Sequence, residues 1–449
     1  MERTINTHTK SKIGEEVTVK GWVDARRNMG KIAFLDMRDR TGILQTVVVP
    51  AELDDASKEL VEGIRPEYVL EIKGIVQERG EKQKNDQMAT GTVELLAKEI
   101  KILAAAQTLP YELGSDIHMD TYLENLPFNL RSEKATAVFK IQSALIAGYR
   151  KKLDEKDFTE FQCPKIVAMA TEGGANVFNV DYFGHKAYLA QSPQFYKQKM
   201  VSVFERVYTT GSVYRAEEHD TNRHINEYTS LDFEMGFING QRDVMEMIYG
   251  VIKSMMDEVK STCQDEIKLL EVSMPEFPEN PPTMKLKEAQ KILEDEYGEK
   301  EATKEPDFEP HQEKLIGEYT KKKFKSDFLF VTHYPIEKRP MYTMPSADDP
   351  GYTDSFDLLF RGMEIVTGGQ RIHEYDMLVE SMKKFKLDPK EFEYYLMAFK
   401  FGMPPHGGIG MGLERVTWQL LGLDNIKQAT LFPRDRVRID EVLSKGESK

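Results

Sequence analysis

Between residues 17 and 103, apolar and polar positions alternate in five short runs: VTVKGWV, KIAFLDMRD, ILQTVVV, YVLEIKGIV and VELLAKEIKIL. A period of two sends successive side chains to opposite faces of a strand. A helical pattern at 54–64 separates the third run from the fourth. Five strands with one intervening helix predict an OB-fold barrel over 1–105. In the second run Ile32, Phe34 and Asp36 share one face and Ala33, Leu35 and Met37 the other, which sets Phe34 outside the barrel core.

The pattern then changes. Residues 106–133 carry Pro110, Gly114 and Pro127 and predict an irregular hinge. From 133 to 153 a helical period puts Val138, Ile141, Leu145 and Ile146 on one face, followed by a strand ending at Pro164. Beyond it the regular βαβ rhythm of a doubly wound sheet is missing. The runs DYFGHKAYLA, RVYTTGSVYRAE and TSLDFEMGFI predict successive antiparallel neighbours. Residues 270–325 are charged, begin with Pro275, Pro278, Pro281 and Pro282, and read as an insertion. Residues 407–423 read as a glycine-rich turn and an amphipathic helix. The predicted fold class is α+β: the barrel, the hinge, then an antiparallel-sheet domain over 134–449 with a small insertion near 270–325.

Composition narrows the options. The 449 residues are 40% hydrophobic and 30% charged, with no run near the roughly 20 apolar residues of a membrane span. Residues 1–10 lack the apolar core of a signal peptide. Two cysteines, Cys163 and Cys263, support neither a disulfide framework nor a zinc cluster, so a reducing cytosol is expected. The net charge of −14 argues against a nucleic-acid partner only globally, since a local basic stripe survives an acidic total.

Four segments carry candidate chemistry. In 204–237, Arg215 ends a strand, Glu217 faces the same side, and a polar loop holds Arg223 and His224. Arg215 can fork onto a phosphate or carboxylate. A solvated hairpin with a surface ion pair explains the same residues. In 407–422, glycines at 407, 408, 410 and 412 precede Arg415 in the first turn of a helix, a combination that favours polyphosphate. A tight turn is the plainer account. In 361–378, Glu364, Thr367 and Arg371 could surround one small polar substrate, or belong to an edge strand and turn. In 189–198, Gln194 and Lys197 share a helical face, and the helix could equally be marked only by Ser192 and Pro193 at its start.

In this order, the segments resemble motifs one, two and three of the class II aminoacyl-tRNA synthetases, and in detail the aspartyl-tRNA synthetases. Motif one would be the helix from Glu133 with its strand, normally a homodimer interface. Motif two would run from Tyr214-Arg215-Ala216-Glu217 to Asp232-Phe233-Glu234, and motif three would be Gly410-Met411-Gly412-Leu413-Glu414-Arg415. The resemblance spans nearly the whole chain outside 270–325 and the extreme C-terminus. The modest insertion between Glu234 and Gly410 resembles the compact archaeal and eukaryotic type, whereas NDQMATGTVELL resembles bacterial members.

The resemblance implies a ligase that activates L-aspartate with ATP and loads it onto tRNA-Asp, with tRNA-Asn left open. Arg215, Glu217 and Arg415 would be the catalytic residues. Arg215 would bind the α-phosphate and the attacking carboxylate, and Glu217 the adenine amino edge. Arg223 and His224 would reach the β- and γ-phosphates, and Arg415 would clamp ATP in a bent form. Ala216, Ile225, Gly412, Leu413 and Glu414 would complete the ATP site. Glu364, with Thr367, would carry Mg²⁺, whose hardness suits oxygen ligands. Lys197 and Arg371 would grip the aspartate side chain, with Gln194, Thr367 and Glu172 around it. Glu172 belongs to a Glu-Gly-Gly segment resembling a closing loop. Asparaginyl enzymes usually carry Gly-Ser-Gln-Arg where this chain reads Gly-Gly-Gln-Arg, and a lysyl enzyme would need acids at Lys197 and Arg371. On the barrel, Phe34 would stack an anticodon base, Gln45 and Glu94 would bond base edges, and Arg26 and Arg27 would hold the backbone. An apolar Met29, where some bacterial members carry His, leans towards discrimination against tRNA-Asn. Two rivals fit less well: an inactive tRNA-binding paralogue would be expected to have lost Arg215, Glu217 or Arg415, and an amide-forming ligase would lack the barrel.

Overall fold

The computed structural model describes residues 2–86, 88–169, 176–218, 221–440 and 443. The chain divides into two compact units, Met1–Glu112 and Leu113–Lys449.

In the first unit β1 (Glu16–Met29), β2 (Ile32–Asp39), β3 (Gly42–Val48), β4 (Val69–Glu78) and β5 (Val93–Ala104) close into a barrel of order β1-β2-β3-β5-β4. Helix α1 (Asp55–Val61) lies between β3 and β4 in sequence, and the Asp54 carboxylate caps it by accepting from the Ser57 N–H. Alternation sorts the side chains as expected. Ala33, Leu35 and Met37 are buried with Val19, Leu44, Leu70 and Leu95, while Phe34 and Asp36 are half-buried on the outer face.

The segment 106–133 is more structured than expected. It holds α2 (Met119–Glu124) and α3 (Leu126–Asn129), with Leu123 and Leu126 buried. Helix α4 (Glu133–Asp154) follows, capped by Ser132. Its predicted face is the buried one: Val138, Ile141 and Leu145 point inward. The second unit is built on an eight-stranded sheet of order β12-β13-β14-β15-β16-β11-β10-β6. These are β6 (Thr159–Glu160), β10 (Arg206–Tyr214), β11 (Glu227–Gly236), β12 (Thr283–Lys285), β13 (Phe328–Thr332), β14 (Ser355–Phe360), β15 (Glu364–Arg371) and β16 (His406–Gly412). All neighbours are antiparallel except the short outer pairs β12/β13 and β10/β6. Helix α4 packs with α6 (Gln241–Thr262) over the sheet in the main core, which includes Tyr149, Val251, Phe233, Phe356 and Ile409.

Three expectations change. DYFGHKAYLA does not join the main sheet: β8 (Asn179–Tyr182) and β9 (His185–Leu189) form a hairpin, and with β7 (Ile166–Val167) a separate three-stranded sheet. The glycines at 407–412 form no turn but the interior strand β16, and Glu364 to Arg371 lie on another interior strand, not at an edge. The segment 270–325 is part of the architecture: β12 extends the sheet, and α8 (Leu286–Tyr297) and α9 (Pro310–Phe324) bury Leu286, Leu293 and Ile316 against Leu329 and Val331 of β13.

Candidate active site and nucleic-acid interface

Strands β11, β15 and β16, the loop between β10 and β11, and the first turn of α5 (Gln194–Phe204) line one cleft of about 380 Å³. At one end its charges are buried. The Lys197 ammonium, 1% exposed, donates to Asp232 Oδ1 at 2.9 Å and to the Ile409 carbonyl at 2.7 Å, and lies 3.5 Å from Glu234 Oε2. Arg371 Nε donates to Glu234 Oε1 at 2.9 Å and its Nη2 to the Gly408 carbonyl at 2.8 Å. Isolated charges would be very costly here, and the two cations and two carboxylates compensate each other. Burial pushes the Glu234 carboxyl up, but Arg371 and Lys197 hold it below the usual carboxylate range. Gly408 makes this possible, because a Cβ there would collide with the Glu234 carboxylate and the Phe233 carbonyl. Both cations are thus held by acids of β11.

A neutral layer backs this end. Tyr395 donates to Gln198 Oε1 at 2.8 Å, and Gln198 Nε2 lies 3.1 Å from His406 Nε2. His406 Nδ1 lies 2.9 Å from the Pro404 carbonyl, which assigns the proton to Nδ1 and makes Nε2 the acceptor. Burial pushes the His406 pKa down to about 4, so the imidazole is neutral near pH 7. Gln194 lines the cleft 4% exposed, and its Nε2 has no hydrogen-bond partner among the described residues.

The other end leaves its cations half-buried. Arg215, directly after β10, is 41% exposed, lies over the Tyr228 ring and stands 4.0 Å from Glu217. His224 is fixed by Thr221 at 2.7 Å and lies 3.7 Å from Glu217. Arg415, in the first turn of α12 (Leu413–Leu421), lies 3.6 Å from Glu364 Oε1. Thr367 donates to that same oxygen at 2.9 Å. Burial would raise the Glu364 carboxyl, but Arg415, Thr367, Arg339 and Arg215 hold it low. On β14, opposite Thr367, Asp357 binds Arg339 at 2.8 Å and leaves Oδ1 without a hydrogen-bond partner among the described residues. Burial pushes its pKa up to about 6. Arg223 meets Glu313 of α9 at 2.9 Å, and burial lifts the Glu313 pKa to about 7.

The cleft thus gathers Gln194, Lys197, Arg215, Glu217, Arg223, His224, Ile225, Glu364, Thr367, Arg371, Gly412, Glu414 and Arg415. Two expected residues are not among its walls: the Leu413 side chain lies in the main core, and the Ala216 N–H is taken by the Asn176 carbonyl. Glu172 falls outside the described residues. Glu414 has a structural task as well: its carboxylate, raised to about 7 by burial, accepts the Thr229 N–H and ties α12 to β11. Sequence reasoning gave no role to Asp232, Glu234, Gln198, His406, Asp357 or Glu313.

On the barrel, Arg27 donates to Asp36 at 2.9 Å and to Gln45 at 3.4 Å, and Gln45 donates to Glu94 at 2.9 Å. Arg79, also overlooked, lies 3.7 Å from Glu94, and its buried Nε and Nη2 have no hydrogen-bond partner among the described residues. Arg26 also has a structural task. Its Nη1 donates to the Glu62 and Ile64 carbonyls, so it ties β1 to the loop after α1.

Comparison with known proteins agrees with both units. Residues 118–436 match the family of tRNA synthetases class II (D, K and N), and residues 17–103 match the OB-fold nucleic acid binding domain. An aspartate–tRNA(Asp/Asn) ligase of Thermus thermophilus is 45% identical over 97% of this chain and 99% of its own length. An aspartate–tRNA(Asp) ligase of Pyrococcus abyssi is 38% identical over 97% and 99%. Among solved structures, asparaginyl-tRNA synthetase from Pyrococcus horikoshii complexed with asparaginyl-adenylate superposes with TM-score 0.88 at 27% identity, over 98% of this chain and 99% of that one. Aspartyl tRNA synthetase from Entamoeba histolytica gives 0.84 at 29%, over 98% and 93%. The chain belongs to the class II tRNA synthetases of the aspartate, lysine and asparagine group.

Proposed function

We propose that this synthetase is an aspartate–tRNA ligase, and that the two ends of its cleft divide the work. The observation that carries the reading is the buried Lys197–Asp232–Glu234–Arg371 cluster in one cleft with the half-buried Arg215 and Arg415. Lys197 and Arg371 present N–H donors whose directions are fixed by the acids behind them. An aspartate carboxylate answers them with two acceptor oxygens. An asparagine side chain would turn its own NH₂ donors towards N–H groups, and such a mismatch inside a buried site is strongly rejected. A lysine side chain would bring a third cation.

The substrate's α-carboxylate is the nucleophile. It attacks the α-phosphorus of ATP, the bond to the β-phosphate oxygen breaks, and pyrophosphate leaves with its electron pair. Arg215 offsets the charge growing on the α-phosphate, while Arg415, Arg223 and His224 hold the outer phosphates, so catalysis rests on positioning and electrostatics. A terminal ribose hydroxyl of tRNA then attacks the aspartyl carbonyl, loses its proton and displaces AMP. The residues present suit Mg²⁺: Glu364 stays ionised, Thr367 adds a hydroxyl, and Asp357, paired with Thr367 across β14 and β15, has an oxygen without a hydrogen-bond partner among the described residues. When bound, the ion supplies positive charge to the phosphate oxygens.

The barrel face bearing Phe34, Gln45, Glu94 and Arg27 reads the anticodon, with Phe34 as stacking platform. Two copies pair through α4, as motif-one helices do in this family. Both cysteines are free, and no described helix is long and apolar enough to cross a membrane, which suits the cytosol. The experiment that tests this reading is amino-acid-dependent ATP–pyrophosphate exchange, followed by charging of tRNA-Asp and tRNA-Asn side by side.

A further inference from the structure

Helix α9 lies in the segment the sequence marks as an insertion, yet it touches the nucleotide end of the cleft. Its docking is backbone to backbone. A Cβ on Gly317 would lie 2.5 Å from the Gly362 Cα and N, in the turn between β14 and β15. A Cβ on Gly362, whose φ is +73°, would lie 2.7 Å from the Lys314 Cα and 2.8 Å from the Glu313 carbonyl. Contact between main chains leaves no flexible side chain to absorb movement, so the helix is registered against the turn that precedes Glu364. From this anchored position Glu313 reaches the loop between β10 and β11. Its Oε2 accepts from Arg223 Nη2 at 2.9 Å, with the two side chains 14% and 26% exposed.

The residue before Arg223 is tied down separately. The Ile426 N–H donates to the Asn222 carbonyl at 3.0 Å, and the Asn222 amide donates to the Asp424 carbonyl at 3.4 Å. Arg223 therefore lines the cleft with a tethered neighbour on one side in sequence and Glu313 as the partner of its guanidinium. An arginine on a loop loses considerable rotamer freedom when it clamps a phosphate, and a partner that fixes it beforehand removes part of that cost.

We propose that Glu313 is a positioning residue for the terminal phosphates of the nucleotide: it holds Arg223 aimed into the cleft, and so makes the 270–325 segment part of the ATP site. This rests on the nucleotide reading of the cleft given above. It assigns that segment a contribution to substrate affinity rather than to stability alone.

The test is calorimetric titration of the full chain with ATP and with AMP, for the unmodified protein, Glu313→Ala, Arg223→Ala and the double variant. AMP lacks the phosphates Arg223 would touch and so reports damage to the rest of the site. The expected result is a Kd for ATP about tenfold higher in Glu313→Ala, AMP binding within about twofold, and a double variant no weaker than Arg223→Ala alone, since two residues acting through one contact are not additive. Glu313→Gln, which keeps an acceptor oxygen, is expected to recover most of the affinity. An unchanged ATP affinity in Glu313→Ala, equal losses for ATP and AMP, or additive losses would overturn the proposal. Absence of amino-acid-dependent exchange in the unmodified chain would sink the ligase reading instead, while the two titrations would still decide the role of Glu313.

Discussion

Glu234 and Arg371 sit on strands separated by β16, and their 2.9 Å contact crosses over Gly408, whose missing side chain leaves room for the Glu234 carboxylate. Glu234 is fully buried. Replacing it with Gln would leave Lys197 and Arg371 short of one compensating charge. The expected outcome for Glu234→Gln is a fall of about 3 kcal/mol or more in unfolding free energy. A drop of about a hundredfold or more in kcat/KM for aspartate should accompany it, because both cations lose their orientation. Denaturant titration and exchange kinetics check the two parts separately.

Arg215 offers the opposite case. Its side chain is 41% exposed, so Arg215→Ala should leave the unfolding midpoint nearly unchanged. Loss of a cation aimed at the transition-state phosphate should lower kcat for exchange about a hundredfold or more. A large loss of stability with intact kcat would contradict the assignment.

Much of this arrangement was legible in the sequence where it is local. Alternation placed Phe34 outside and Leu35 inside the barrel, and the helical period picked the buried face of α4, because each depends on neighbours a few positions apart. Lys197, Arg371, Arg215 and Arg415 could be nominated one by one. Their partners could not: Arg371 and Glu234 are 137 positions apart, and Lys197 reaches a carbonyl 212 positions away. Glycine-rich stretches usually signal turns, and only the crowding of Glu234 over β16 shows why a strand here must be glycine. The charged, proline-led segment 270–325 hid an edge strand and Glu313 for a related reason, since its apolar residues are matched only by β13.

Stability should depend on pH from both sides. His406 titrates at about 4 in the fold against an ordinary value of 6.5, so the unfolded chain binds its proton first. The stability it protects is full above pH 6.5 and is lost as pH falls towards 4. Glu414 is raised from 4.5 to about 7, so the folded chain holds its proton longer, and its contribution is lost as pH rises from 4.5 through 7. Glu414→Gln keeps an acceptor for the Thr229 N–H and should flatten the alkaline slope of melting temperature against pH. An unchanged slope would exclude the carboxyl as its source.

The barrel's role separates cleanly from the chemistry. Phe34→Ala should raise KM for tRNA-Asp about tenfold, the scale of one lost stacking contact. Aspartate-dependent exchange, which needs no tRNA in this reading, should stay at the unmodified rate. A parallel loss in both assays would mean that Phe34 supports the fold rather than the anticodon.

The most direct measurement of the central claim is ATP–pyrophosphate exchange by the unmodified chain with aspartate, asparagine and lysine in turn. The account predicts exchange with aspartate and, at equal concentration, at least about a hundredfold less with the other two, as expected when a site built of N–H donors meets an amide or an ammonium. Exchange driven equally well by asparagine, or none with any amino acid from a folded sample, would contradict it.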